Sequence, residues 1–206
     1  MSKLLLATNN KGKVREYRSL LKGVPFELVT PAQQGINMDV EETGSTFEEN
    51  ARLKALAFAR VSGLLTLADD SGLAVDALKG EPGIRSSRYA GEGATDADRV
   101  KFLLAKLEHI APGKRTAHFI CVIALAFPDG QIEICSGKCD GLIISEPRGE
   151  NGFGYDPIFF FPALKKTMAE LSTEIKNQVS HRARAAREAA KVLNNLANLQ
   201  SETKYD

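Results

Sequence analysis

Five short segments of the chain combine residue types that can act on a phosphorylated ligand. The first is Thr8-Asn9-Asn10-Lys11-Gly12-Lys13, set between the apolar run Leu4 to Ala7 and a helical pattern. Such a loop presents backbone N–H groups at a helix N-terminus, where the helix dipole favours anions. Lys11 and Lys13 add charge, and Thr8 and Asn10 add hydrogen bonds, which suits a polyphosphate. It is not a Walker A loop, which needs GxxxxGK[ST]; a polar turn opening a surface helix is the alternative. The second segment, Asp69-Asp70, ends the apolar run Leu64 to Ala68. Successive strand side chains alternate between faces. One acid is therefore expected to face a site and bind Mg²⁺ or activate water, while the other ties down a loop; a helix-capping or turn Asp is the alternative.

The third segment holds Glu41-Glu42, then Glu48, Glu49, Asn50 and Lys54. Asn50 and Lys54 are four apart and share a helix face. A loop carboxylate here could complete a Mg²⁺ site, because that ion takes one or two carboxylates plus phosphate oxygens; a solvated acidic surface is the alternative. The fourth is Gly152-Phe153-Gly154-Tyr155-Asp156-Pro157. Glycines beside an aromatic leave its ring open to stack on a purine, and Asp156 could accept from a base edge. The fifth is Lys176 with Ser180-His181-Arg182, whose cations could donate to purine O6 and N7. His109 and His118 show no evident partners, and no Ser-His-Asp, Cys-His or metal-type His/Cys spacing stands out.

These residues need elements to hold them. Leu4 to Ala7 reads as a strand, followed by a helix with Val14, Tyr17, Leu20 and Leu21 at helical spacing, stopped by Gly23 and Pro25. Phe26 to Val29 reads as a strand, and Gly35 to Gly44 as a polar loop. Ser45-x-x-Glu48 is a capping box opening a helix. Ala77 to Ala94 is Gly-rich and loop-like, and Thr95 can cap a helix through Leu107. Ala117 to Phe127 and Gln131 to Ile144 form a hairpin about Pro128-Asp129-Gly130. Gly149 to Pro157 is a loop, Met168 to Leu171 a helical turn, and Ser180 to Leu196 a helix. The last ten residues are polar and expected to fray. Strands alternating with helices, plus a long hairpin, give an α/β protein with a mixed sheet.

The bulk numbers narrow the function classes. At 206 residues, one domain spanning 1–206, with room for two lobes, is the expectation. A net charge of +1 argues against a whole-protein field for nucleic acid or membrane, so a polyanion must be held locally. The run Arg182, Arg184, Arg187 is diluted by Glu188 and alanines. Three cysteines, Cys121, Cys135 and Cys139, form no CxxC pair and read as packing residues. The first apolar run is too short for a leader or a membrane span, so a cytoplasmic location is expected.

Taken together, the segments resemble the inosine triphosphate pyrophosphatase family, in its bacterial branch acting on non-standard purine nucleotides. The matching stretches are Leu6 to Lys13, Glu41 to Phe47, Glu49-Asn50-Ala51, Ala68 to Leu73, Pro82-Gly83-Ile84, Ser87-Arg88-Tyr89, Gly152 to Pro157 and Ser180-His181-Arg182, in the family's order. Where the family carries Gly after the first Thr, this chain has Asn9; if φ is positive there, Asn is the most tolerable replacement. The resemblance implies an elongated mixed β-sheet with flanking helices, two lobes with a central cleft, and a homodimer. It implies Mg²⁺-dependent hydrolysis of ITP, dITP and XTP to the monophosphate and pyrophosphate, clearing them from the nucleotide pool. Thr8, Asn9, Asn10, Lys11, Gly12 and Lys13 would hold the triphosphate, and Lys54 and Ser71 would touch phosphates. Glu41, preferred to Glu42, and Asp70 would bind Mg²⁺, with Asp70 also the general base. A metal beside Asp70 should hold its pKa low. Phe153 would stack on the base, with Gly154, Tyr155, Asp156, Lys176, His181 and Arg182 around it. A pyrimidine-directed pyrophosphatase like the fold-related Maf-like proteins is one alternative. A nucleotide- or nucleic-acid-binding module resting on the late Arg run is another.

Overall fold

A computed structural model describes the backbone of residues 2–202 and the side chains of 2–198. The strands are β1 (Ser2–Leu6), β2 (Phe26–Val29), β3 (Leu65–Val75), β4 (Thr116–Ala126), β5 (Ile132–Ile143), β6 (Phe159–Phe161) and β7 (Lys166–Thr167). The helices are α1 (Lys11–Leu20), α2 (Phe47–Ser62), α3 (Asp96–Lys106), α4 (Thr173–Val179) and α5 (His181–Glu202). All strands join one seven-stranded sheet in the order β2-β1-β3-β4-β5-β6-β7. β1 pairs in parallel with β2 and with β3, while β6 runs antiparallel to β5 and to β7. The sheet is thus mixed and helix-flanked, as the alternation of elements requires.

Packing divides the chain into two compact units. The first comprises Met1–Asp70, Cys121–Gly137 and Ala183–Asp206, and the second Ser71–Ile120 and Lys138–Arg182. In the first, Leu4, Leu6 and Leu67 pack with Ile123, Leu125, Tyr17 and Leu21. Ala185, Ala186 and Ala189 of α5 join that core, and their small size lets the helix backbone approach closely. In the second, Leu73, Val75, Val100, Leu103, Leu107, Phe119 and Phe159 form a separate core. Each fully buried Leu or Phe side chain contributes roughly 1.5–3 kcal/mol through apolar burial. None of the three cysteines forms a disulfide among the described residues, and all are buried in these cores. Burial pushes the Cys135 thiol up to about 11, consistent with packing rather than reactivity. Among the described residues no helix is long and apolar enough to cross a membrane.

Four expectations about elements are corrected. The cap of α2 is Thr46, in extended geometry and accepting from Glu49 N, one residue later than expected. Glu49 in turn accepts from Ser45 N at 2.6 Å and from its hydroxyl. β3 does not stop before Asp69 but carries both acids in its interior, because each finds polar partners inside the first unit. α4 and the short β6 and β7 had no periodic signal to announce them. α5 persists to Glu202 rather than fraying from 197, and residues 203–206 lie outside the described part. Elsewhere the reading holds: Thr95 caps α3 with a full reciprocal box to Asp98.

Candidate active site

In the first unit, β1 feeds the chain into the Thr8–Lys13 loop. Ala7 N–H donates to Leu67 O, and Thr8 N–H to Leu6 O, each at 2.8 Å, so the loop starts from a fixed sheet edge. Thr8 Oγ1 accepts from Asn10 N at 3.2 Å. Asn10 caps α1, its side chain accepting from Lys13 N at 3.1 Å. Lys11 and Gly12 fill the first two helical positions, whose N–H groups have no intrahelical acceptor. Among the described residues the only non-glycine positive φ values are at Lys79 and Lys165, so Asn9 replaces glycine without a left-handed backbone.

The paired acids then part company. Asp69 takes an ion pair from Lys13 Nζ at 3.0 Å and a weak bond from Cys121 Sγ at 3.8 Å. Asp70 Oδ2 accepts from Asn50 Nδ2 at 3.1 Å, and Asn50 Oδ1 accepts from Gly44 N at 2.8 Å. Asn50, wholly buried, thereby ties the acidic loop to Asp70. Gly44 has to be glycine: a Cβ there would lie 2.6 Å from the Glu49 Cβ and 2.7 Å from Asn50 Oδ1. Lys54 Nζ donates to Glu42 Oε1 at 2.6 Å and to the Asp69 carbonyl at 2.7 Å. Burial opposes its charge, but Asp69, Glu42 and Asp70 together raise its pKa above that of an ordinary lysine. Asp70 is 6% exposed. Desolvation raises its pKa and Glu42 adds to that, outweighing Lys54, Asn50 and Lys13.

The loop acid whose charge reaches Asp70 is Glu42; Glu41, preferred on sequence, is exposed. Lys13 and Lys54 thus share their surroundings with Asp69, Asp70 and Glu42, an excess of carboxylates over lysines. Such a set repels a bare polyphosphate and favours a divalent cation. Hard carboxylate oxygens without imidazole or thiolate fit a hard divalent cation such as Mg²⁺. Among the described residues no group of three or more His, Cys, Asp or Glu is arranged to hold a metal by itself, and Mg²⁺ commonly completes its shell with water and phosphate.

In the second unit, the Gly152–Pro157 loop is braced around Phe153. Phe153 N–H donates to Asp156 Oδ2 at 3.0 Å, and Lys176 Nζ donates to the same oxygen at 2.6 Å. Gly152 has φ 81°, and a Cβ there would sit 2.0 Å from Asp156 Oδ2, so no other residue fits. Lys176 Nζ and Arg182 Cζ lie 5.3 and 5.5 Å from the Phe153 ring centroid, within cation–π range. Arg182 Nη2 donates to Ser71 Oγ at 2.8 Å. His181 stacks on Phe119, with centroids 4.7 Å apart and planes at 14°.

Within each unit some of the sequence-predicted residues come together, Lys13, Lys54 and Asp70 in the first and Phe153, Asp156, Lys176 and Arg182 in the second, with corrections. Asp156 is buried and its Oδ2 is committed to the loop and Lys176, so it acts as a brace rather than an open acceptor. The Tyr155 side chain lies in the second core, its hydroxyl donating to Ser86 O at 2.9 Å, leaving only backbone for a ligand. The His181 ring is largely covered. Sequence reasoning set Asn50 beside Lys54 on one helix face but missed its bond to Asp70. It also missed Ser86, Asp96 and Arg99, which support the aromatic loop. His118, without visible partners in sequence, lies between Asp140 at 2.7 Å and Asp76 at 3.0 Å.

Known proteins resemble this chain over nearly its whole length. The chain is 51% identical over 194 residues to the dITP/XTP pyrophosphatase of Desulforamulus reducens, covering 94% of this chain and 96% of that one. It is 51% identical over 185 residues to the protein of the same name from Geobacter sulfurreducens, covering 90% and 93%. Among solved structures, the Ham1 protein of Staphylococcus aureus is 44% identical with a TM-score of 0.85, over 94% of this chain and 99% of that chain. The HAM1 protein of Coxiella burnetii is 44% identical with a TM-score of 0.86, over 95% and 100%. With residues 4–192 matching the model of the Ham1 family as well, the chain belongs to the Ham1 family.

Proposed function

We propose that the protein is a Mg²⁺-dependent nucleoside triphosphate pyrophosphatase that converts ITP, dITP and XTP to the monophosphate and pyrophosphate. The observation that carries this reading is the buried Asp70, held by Asn50 and set among Lys54, Glu42 and Lys13. The names of the close relatives support the substrate class.

The triphosphate binds the N-terminus of α1, with Lys11, Gly12 and Lys13 as donors and Lys54 and Ser71 as further phosphate contacts. Asp70 and Glu42 would hold Mg²⁺, which would neutralise phosphate charge and make a water more acidic. Asp70 takes the proton of the attacking water. Lys13 and Lys54 stabilise charge on the departing pyrophosphate. Phe153 stacks on the base, and Lys176 and Arg182 favour a 6-keto oxygen over the amino group of adenine. We further propose a homodimer, readable by light scattering, and a cytoplasmic location, where nucleoside triphosphates reside.

The test is pyrophosphate release from dITP, XTP, dGTP and dUTP, with Mg²⁺ and with EDTA. The expected result is metal-dependent turnover of dITP and XTP well above dGTP and dUTP. Preference for dUTP, or full activity in EDTA, contradicts the proposal.

A further inference from the structure

The aromatic loop is held from a second, sequence-distant side. Phe153 has a carboxylate at each flanking amide: Asp156 takes its own N–H, and Asp96 Oδ2 takes the N–H of Gly154 at 2.7 Å. Gly154 has φ 63°, so its amide is presented by a backbone turn that side chains rarely adopt. Each carboxylate carries its own cation. Lys176 pairs with Asp156, and Arg99 pairs with Asp96 through Nη2. Arg99 Nη1 also donates to Ser87 O at 3.0 Å and to Ala94 O, which fixes the guanidinium. Asp96 opens α3, whose dipole favours a negative charge at that end. The reciprocal cap of that helix uses Thr95 and Asp98, leaving Asp96 available to reach the loop.

From this pair of clamps we infer that Asp96, oriented by Arg99, is a positioning residue that sets the plane of Phe153 and thereby affinity for the purine base. The inference rests on the proposed stacking role of Phe153. The chemistry is specific: an ionised acceptor on a peptide N–H is shorter and stronger than a neutral one. Losing it frees the peptide on the C-terminal side of Phe153, while Asp156 still holds the N-terminal side. The ring can then swing about a single anchored amide, which weakens stacking without touching the phosphate end.

The experiment compares the wild type with Asp96→Ala, Asp96→Asn and Phe153→Ala, and with the double variant Asp96→Ala/Phe153→Ala. Two readouts are used: dITP kinetics, and amide hydrogen exchange over residues 152–156 of the ligand-free protein. Asp96→Ala is expected to raise KM about ten-fold with kcat nearly unchanged. Exchange at Phe153 and Gly154 should accelerate, and Asp96→Asn, which keeps an acceptor oxygen, should recover most of both. If the residue acts through the ring, Asp96→Ala adds nothing to KM in the Phe153→Ala background. Unchanged exchange, or an equal KM increase in both backgrounds, overturns the inference. Should Asp96→Ala fail to fold, Arg99→Lys gives the same readouts through loss of the guanidinium fork, and unchanged exchange and KM there overturn it equally. A Phe153→Ala variant with wild-type KM instead overturns the stacking role itself, a separate failure.

Discussion

Asp70 and its neighbour Asp69 carry the same functional group but live in different surroundings. Asp69 neutralises Lys13, whereas Asp70 keeps a neutral amide partner and a net environment that raises its pKa. Asp70→Asn removes the proposed base while keeping the shape, and should lower kcat by about 10²-fold or more with little change in KM. Glu42→Gln should raise the Mg²⁺ concentration needed for half-maximal activity, and Glu41→Gln should leave it near wild type; a metal-activation curve separates them, and the opposite pattern restores Glu41. At this scale the sequence was informative where chemistry is contiguous, as in Thr8 to Lys13 and Asp69-Asp70. It was mute where the partner is brought by folding. Asn50 reaches Asp70 across 20 residues, and Gly154 reaches Asp96 across 58. Nothing local marks either contact. That Lys54 Nζ meets Glu42 rather than Glu41 is likewise supplied by no spacing rule.

Elements place these residues through caps and close approaches. Thr95→Ala deletes half of the α3 capping box and should destabilise the protein by about 1 kcal/mol, seen as a lower urea midpoint at unchanged m-value. Gly152→Ala forces a Cβ against the Asp156 carboxylate and should raise KM for dITP far more than it alters kcat. Long elements were legible because their signals repeat: α1, α3, α5 and the β4–β5 hairpin each combine a cap or turn residue with periodic apolar positions. The cap of α2 slipped by one because Ser45-Thr46 and Glu48-Glu49 offer two overlapping boxes. β6 and β7, of three and two residues, are too short to hold a period. β3 was cut short in the reading because two adjacent acids look like a strand end; inside the fold, each instead meets its own polar partner.

For the whole molecule, charge is the most telling property. The net charge is +1, and the late Arg run is broken because Arg182 is buried on Ser71 while Arg184 and Arg187 are exposed. Fluorescence anisotropy at physiological salt should therefore detect no specific affinity for single- or double-stranded DNA. A second whole-molecule property is acid stability. Asp76 is held below its ordinary 3.8, chiefly by the Thr116 hydroxyl, and Asp140 likewise, chiefly by His118. A depressed carboxylate contributes stability that is present above the unfolded pKa and is lost as pH falls through the folded one. Melting temperatures should thus drop below about pH 4, and Asp76→Asn should flatten that acid limb. The α/β class and mixed sheet were legible from the order of elements, whereas two lobes came only from chain length and the resemblance, since residues of each core come from non-adjacent stretches. The central claim is that Asp70 drives metal-dependent cleavage of a 6-oxopurine triphosphate. It is met most directly by steady-state pyrophosphate release from dITP in saturating Mg²⁺, comparing wild type with Asp70→Asn of equal melting temperature. A loss of about 10²-fold or more in kcat is the outcome predicted; wild-type turnover by Asp70→Asn contradicts the account.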